Sequence, residues 1–460
     1  MINKKTIFIT AFHSFISKNI INTDNFLSLP TNHPEYRFVL LVSVGKEEFY
    51  RQTYPQFTIQ GVDVNKITNQ KSSIFFSRLS YLLVDSHYLK YKKYERFGTA
   101  VGWWKYIKLF FEITFTKLFA DRRSSRFIYR YLFTRLGHVR DIDLIFDQYQ
   151  PSYLFSTDVF DESDVLFSKK AQSLGLSILG MVRSWDNCFS KGVMRVLPDK
   201  LLVNNETIKD EATFLHDVST KRIEVVGLPQ FDHFIKNSRT GREEFFTSLG
   251  LNSDRKLVVF APAGKILSDT DSQILDILNR GLKESRFIEP ISVLVRNHPN
   301  HPADFSSLEL DSRIKIENPG LVFNPNNPKE TELTKSDSVH LADTLFYADI
   351  VIFIATTLGI DALVFNKPEI VIDFDGYDNK RDYWHSVRRY HDEDHMKKMI
   401  SCGGIRVAEN PSHLIEEINR YLENPALEND GRQRMFRQQL WKVDGNSAAR
   451  VVEAIVNFLS

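Results

Sequence analysis

The sequence predicts an α/β protein built from two doubly wound domains, and three observations lead there. Short, nearly continuous apolar runs of strand length alternate with longer stretches of helical apolar spacing, the pattern of a parallel sheet covered by helices. The alternation occurs twice, with Gly, Pro and charged residues clustered around residues 228–242 between the two series. Finally, 460 residues of which 42% are hydrophobic suffice for large buried cores and exclude a disordered chain.

Taken in order, Thr6 to Phe12 is apolar enough for a strand buried in a parallel sheet, and His13-Ser14 breaks it. Lys18 to Leu29 has helical spacing, and Phe38 to Val44 completes a βαβ unit. Further strands are expected at residues 144–146, 153–155, 177–182, 200–203 and 223–226, with helices over 163–174 and 207–216. The second series places strands at 257–261, 291–296, 349–354 and 369–372, and helices over 271–283, 338–347, 359–365 and 413–422. Val451, Val452, Ile455, Val456 and Leu459 form a helical stripe at the end. The expected domains are 1–227 and 228–445, followed by a terminal helix over 446–460.

Charge and cysteine content narrow the class. A formal net charge of +1 speaks against a nucleic-acid coat, and two cysteines provide neither a disulfide framework nor a cysteine zinc site. No run reaches the roughly 18 uncharged apolar residues of a membrane span, and the first apolar run is too short for a secretory leader. The expected location is the cytoplasm. Residues 71–140 stand apart, with fifteen Lys and Arg against four Asp and Glu and dense aromatics. There Ile107, Phe110, Phe111, Phe115 and Leu118 share one helical face opposite Lys105, Lys108, Glu112 and Lys117. Such a helix either covers a core with its basic edge solvated or lies at an anionic membrane surface, which would place the protein at the inner face of the membrane. No nucleic-acid module signature is present.

The familiar phosphate and nucleophile motifs are missing: no G-x-G-x-x-G follows a strand, Ala263-Gly264-Lys265 lacks the upstream glycine of a P-loop, and no G-x-S-x-G occurs. Strand ends of the second series carry the chemistry instead, where open α/β sheets bind ligands. Gly264 and Lys265 follow one strand, with small residues that let backbone N–H groups approach a phosphate. Arg296, Asn297 and His298 end the next. Thr356 and Thr357 precede a helix whose Asp361 could accept from ribose hydroxyls. In the first series, Asp158 and Asp161 follow a strand and read as general bases or helix caps. Trp185, Asp186 and Asn187 read as ligand contacts or as a capped turn. Asp373-Phe374-Asp375 suits donor-sugar contact better than a metal, and His391 with His395 has no third ligand in view, so no metal is expected.

Residues 295–299 (Val-Arg-Asn-His-Pro), 356–371 (from Thr356-Thr357-Leu358-Gly359 to Val371), 184–187 and 226–232 together carry a resemblance. The chain resembles glycosyltransferases of the GT-B fold, in the neighbourhood of bacterial surface-polysaccharide and CDP-glycerol-type transferases. Asp361 stands where the family pattern has a glutamate. The resemblance implies two Rossmann-like domains facing across a cleft and a last helix crossing back to the first domain. It implies a nucleotide-sugar donor held by the second domain through Arg296, His298, Thr356, Thr357 and Asp361, and a glycan or lipid-linked acceptor. It further implies a histidine base at His13, without a cofactor or essential metal. A UDP-N-acetylglucosamine 2-epimerase-like isomerase and a non-catalytic glycan- or membrane-binding scaffold share these features and stay open.

Overall fold

The computed structural model describes residues 4–99, 102–120, 122–137, 139–236, 238–323, 331–378 and 381–459. The chain divides into two units, residues 1–229 with 446–460 and residues 230–445.

In the first unit, strands β1 (Lys5–Ala11), β2 (Tyr36–Ser43), β3 (Thr58–Val62), β4 (Pro151–Ser156), β5 (Ser177–Met181), β6 (Lys200–Val203) and β7 (Ile223–Val225) form one sheet. Its order is β3-β2-β1-β4-β5-β6-β7 and the paired strands run parallel. The central strand β1 is apolar on both faces because both are covered. Ile7 and Ile9 enter one core with Leu40, Val42 and Leu179, while Phe8 enters another with Val39, Leu41 and Phe146. The terminal helix Ser447–Leu459 belongs to this unit: Val451, Ala454, Ile455 and Leu459 lie in the core of Ile7 and Ile9. Burial of Val451, Ile455 and Leu459 is worth about 1.5–3 kcal/mol each. Arg450 Nε donates to the Val226 carbonyl at 2.9 Å, tying that helix to the end of β7.

The second unit repeats the plan with β8 (Lys256–Ala261), β9 (Ile291–Arg296), β10 (Ile314–Glu317), a short antiparallel pair β11 (Leu321–Val322) and β12 (Thr331–Glu332), then β13 (Ile350–Phe353), β14 (Glu369–Ile372) and β15 (Ile405–Ala408). The main sheet runs β10-β9-β8-β13-β14-β15, again parallel. Counting the strands of each main sheet in chain order, both sheets run 3-2-1-4-5-6, the first with a seventh strand added at its end, which is the doubly wound topology with its switch point beside the first strand.

Two local expectations are corrected. Residues 144–146 are not a strand but part of the helix Arg140–Tyr149: Ile142 and Phe146 are buried four residues apart while Leu144 faces solvent. The helix expected over 18–29 is broken into a π-helical turn, Ser17–Ile21, and a short helix, Asp24–Leu27, where Thr23 adopts extended geometry.

Candidate functional site

Because the second sheet is parallel, the carboxyl ends of its strands share one edge, and the predicted donor residues are distributed along it. Arg296 ends β9 with 8% of its surface exposed, and its Nη1 donates to Glu317 Oε2 at 3.1 Å. His340 Nε2 meets the other Glu317 oxygen at 2.5 Å. Burial pushes the Glu317 carboxyl up, but His340 and Arg296 outweigh it and hold it below its ordinary value. Burial likewise lowers Arg296, opposed by the charges of Glu317, Asp337 and Asp361. Arg296 and Asp361 are therefore electrostatic neighbours. Asp361, buried one turn into the helix Leu358–Leu363, accepts from Gln230 Nε2 at 3.0 Å. Thr356 and Thr357 lead into that helix, Thr357 exposed and Thr356 Oγ1 accepting from the Leu358 N–H at 3.4 Å.

His298 sits in a built turn. Its Nδ1 accepts from the Asn300 N–H at 3.1 Å, which leaves the ring proton on Nε2, and the ring stacks on His301 at 5.3 Å. Burial, aided by His301, pulls its pKa down to about 4. His298 is thus a neutral donor at neutral pH, and the expected phosphate-neutralising cation is corrected to a hydrogen-bonding imidazole.

The loop after β8 also departs from expectation. Gly264 has φ +84°, and both the Ala263 and Gly264 N–H groups donate to Asp271, at 3.2 and 2.8 Å. These donors serve the fold, so they do not cradle a phosphate. Lys265 is exposed beside them. Burial pushes the Asp271 carboxyl up to about 6.

Asp373 follows β14 and pairs with His391 Nδ1 at 3.1 Å. Burial raises the carboxyl to about 6 and lowers the imidazole to about 4, so at neutral pH a mostly ionised carboxylate faces a neutral imidazole. Asp375 is buried and accepts from the Val387 N–H at 2.8 Å, a loop-holding role rather than a sugar contact. His391 and His395 do not form one helical pair: the first lies in a 3-10 turn and the second in the next helix, with Glu393 extended between them. Among the described residues no group of three or more His, Cys, Asp or Glu could hold a metal ion.

The first unit collects carboxylates at the ends of β1 and β4. Asp158 Oδ2 pairs with Arg183 Nε at 2.6 Å, and its Oδ1 accepts from the Phe160 N–H at 3.1 Å and Asn187 Nδ2 at 3.5 Å. Asp161 caps the helix Glu162–Ser173 through the Ser163 N–H at 2.9 Å. Its carboxyl is raised, first by burial and then by Asp158. Asp164 lies deeper, bonded by Thr10, Ser156 Oγ (3.1 Å) and the Asp158 N–H (3.1 Å), and burial pushes it well above its ordinary value. Asp186 accepts from Ser184 and Ser190 at 2.6 and 2.7 Å, closing a turn that carries Trp185 half-buried and Asn187 buried. His13 Nδ1 accepts from the Phe15 N–H at 3.2 Å, so its proton resides on Nε2 and the lone pair a base would use is occupied.

Sequence reasoning did not single out Asp164, Arg183, Asp271, Glu317 or His340. Asp164 carried a signal in the spacing of three that repeats through Asp158, Asp161 and Asp164. Glu317 ends an edge strand too polar to stand out.

A family model described as CDP-glycerol:poly(glycerophosphate) glycerophosphotransferase matches residues 197–457. No curated protein matches. Among solved structures, the Listeria monocytogenes protein assigned as a UDP-N-acetylglucosamine 2-epimerase is 12% identical with TM-score 0.57, covering 99% of this chain and 97% of its own. S. aureus MnaA with UDP is 11% identical with TM-score 0.53, covering 99% and 97%. A variant of the wall teichoic acid polymerase TagF is 13% identical with TM-score 0.51, covering 99% and 88%. These likenesses show the fold, which is GT-B.

Proposed function

The chain belongs to the CDP-glycerol:poly(glycerophosphate) glycerophosphotransferase family, and from that premise we propose that it transfers the activated group of a nucleotide-diphosphate donor to a hydroxyl of a cell-surface glycan or lipid-linked acceptor. The observation that carries this reading is the position of buried Arg296, ending β9 within electrostatic reach of Asp361, with the Thr356-Thr357 turn leading into the Asp361 helix at the same carboxyl end of the sheet. A cation and hydroxyls suit a diphosphate, and a buried carboxylate suits ribose hydroxyls.

The family's activity favours a polyol phosphate over a sugar as the transferred group. The acceptor oxygen then attacks the distal phosphorus, the anhydride P–O bond breaks, and the nucleoside monophosphate leaves. Arg296 offsets the charge growing on the leaving phosphate, and the Nε2–H of His298 donates to it. The candidates for the base that takes the acceptor proton are Asp158, Asp161 and His13, whose ring would have to turn to release its Nδ1 lone pair. The same frame would move a sugar by attack at the anomeric carbon, releasing a nucleoside diphosphate.

Product analysis separates these cases. Purified chain incubated with CDP-glycerol and, separately, UDP-sugars, with a polyol-phosphate or lipid-linked glycan acceptor, is expected to release CMP from CDP-glycerol. Release of UDP assigns sugar transfer, an epimerised sugar without acceptor assigns an isomerase, and no binding of any donor by calorimetry leaves a scaffold.

A further inference from the structure

We propose that Gln230 is a specificity-determining residue: with Asp361 it forms a two-acceptor clamp for the vicinal hydroxyls of a ribonucleotide and sets a preference for ribose over deoxyribose. This rests on the donor reading above and adds to it the side chain that reads the sugar of the nucleotide.

Two short helices bring the pair together. Gln230 opens the helix Gln230–Lys236, and Asp361 lies in the helix Leu358–Leu363. Four residues after each stands a phenyl ring, Phe234 in the first helix and Phe365 in the turn that follows the second. These rings stack with centroids 5.7 Å apart and planes 9° from parallel, and the Arg239 guanidinium lies 5.1 Å from the Phe365 ring centre. Residues four apart share a helical face. The stack therefore sets the same two faces against each other one turn earlier, where Gln230 Nε2 donates to Asp361 Oδ1 at 3.0 Å.

That bond fixes the amide. A carboxylate accepts, so the atom of Gln230 that meets Asp361 is the nitrogen, and the remaining amide atom is the carbonyl oxygen. This Oε1 is buried and has no hydrogen-bond partner among the described residues, in a side chain only 7% exposed. Buried acceptors are nearly always bonded, so an orphan among them points to a donor that arrives from outside the chain.

The chemistry of a nucleotide limits what that donor is. Ionised phosphate brings none, which leaves the ribose hydroxyls and the N–H groups of the base. Position decides between them. Burial lowers Arg296, and Asp361 is among the charges that oppose it, so the cation assigned to the diphosphate is an electrostatic neighbour of Asp361. Ribose is bonded directly to that diphosphate, whereas the base stands one ring further away. A carboxylate accepts at several lone pairs, so the bond from Gln230 does not exhaust Asp361. Carboxylate and amide carbonyl, joined through one hydrogen bond, match the two adjacent donors of a cis-diol. An analogue that lacks one hydroxyl leaves a buried acceptor unmet, which is how a polar site rejects it.

The test is calorimetry of the full chain with CDP, 2′-deoxy-CDP, 3′-deoxy-CDP and UDP, for the parent and for Gln230→Met, which keeps the length of the side chain without either amide atom. The parent is expected to bind CDP about tenfold or more tightly than either deoxy analogue. Gln230→Met should narrow one of those ratios to about threefold or less at unchanged Tm, which identifies the hydroxyl that Gln230 holds. A merely structural role would weaken all the nucleotides together and leave the ratios intact. If the apolar variant melts early, Gln230→Asn, with its amide withdrawn by one methylene, is read in the same way. Equal affinities of the parent for CDP and the deoxy analogues, or ratios unchanged in both variants, overturn the proposal. A variant that alters instead the preference for CDP over UDP assigns the oxygen to the base and overturns it too. A parent that binds no nucleotide at all removes the donor reading itself, a result seen before any variant is made.

Discussion

Replacing Gly264 with alanine tests whether the loop after β8 is a structural clamp. Gly264 has φ +84°, and a Cβ there would stand 2.1 Å from the carbonyl oxygen of His301. The left-handed backbone alone costs an L residue about 1–2 kcal/mol. Relief of the overlap requires the 298–301 turn to retreat by roughly 1 Å, since ordinary contacts begin near 3.4 Å. That turn is fixed by the Asn300 N–H to His298 bond at 3.1 Å and by the Asn297–Ala303 bonds at 3.1 and 3.4 Å. Losing one of these adds about 1–2 kcal/mol. The sum, about 3 kcal/mol, lowers the melting temperature of a unit this size by roughly 6–12 °C. Differential scanning calorimetry should show the transition of residues 230–445 falling by that amount while the first unit's transition holds. Lys265→Ala, at the exposed neighbour, should leave both in place. A Gly264→Ala transition within about 1 °C of the parent would falsify the clamp reading.

Three further outcomes follow from the geometry. Arg296→Gln removes the buried cation and leaves Glu317 with His340 alone, so donor affinity measured by calorimetry should fall by about tenfold or more. His216 is buried, accepts from the Met194 N–H at 3.1 Å, and has its pKa pulled down to about 3, chiefly by burial and then by Arg130. Its contribution to stability is complete above pH 6.5 and is lost as pH falls toward 3, because the unfolded chain takes up a proton that the folded one refuses. The first unit should therefore lose about 3 kcal/mol by about pH 4.5, and His216→Gln should flatten that slope in thermal melts. Chelation with EDTA is expected to leave turnover unchanged in the product assay, and loss restored by a divalent ion would contradict the carboxylate and imidazole chemistry assigned above.

Central strands were legible because burial on both faces writes them as unbroken apolar runs, as in Val258-Val259-Phe260 and Ile352-Phe353. β3, β10 and β15 were not, and all three are sheet edges. Half-solvated strands such as Thr58-Ile59-Gln60-Gly61-Val62 lack the signal that a parallel interior imposes. The three-residue run at 144–146 misled because so short a stretch carries no period, and only the spacing of Ile142 with Phe146 discloses the helix. Within the candidate site, residue types at strand ends were readable, and Arg296 and Asp361 lie within electrostatic reach of each other. What each group was bonded to was not readable. The capture of Gly264 by Asp271, the tautomers of His13 and His298, and the burial of Asp375 depend on residues distant in sequence or on backbone geometry.

The placement of Ser447–Leu459 against the first sheet sets a timetable for biosynthesis. β7 leaves the ribosome roughly 220 residues before that helix, which at typical elongation rates is a delay of about 10–45 s. Throughout that interval Ile7, Ile9 and Val226 lack their final cover, while residues 230–445 can already condense. The nascent N-terminal half thus waits with one core open, and a premature stop anywhere in the last turns would strand it unfinished even though every strand of its sheet had been made.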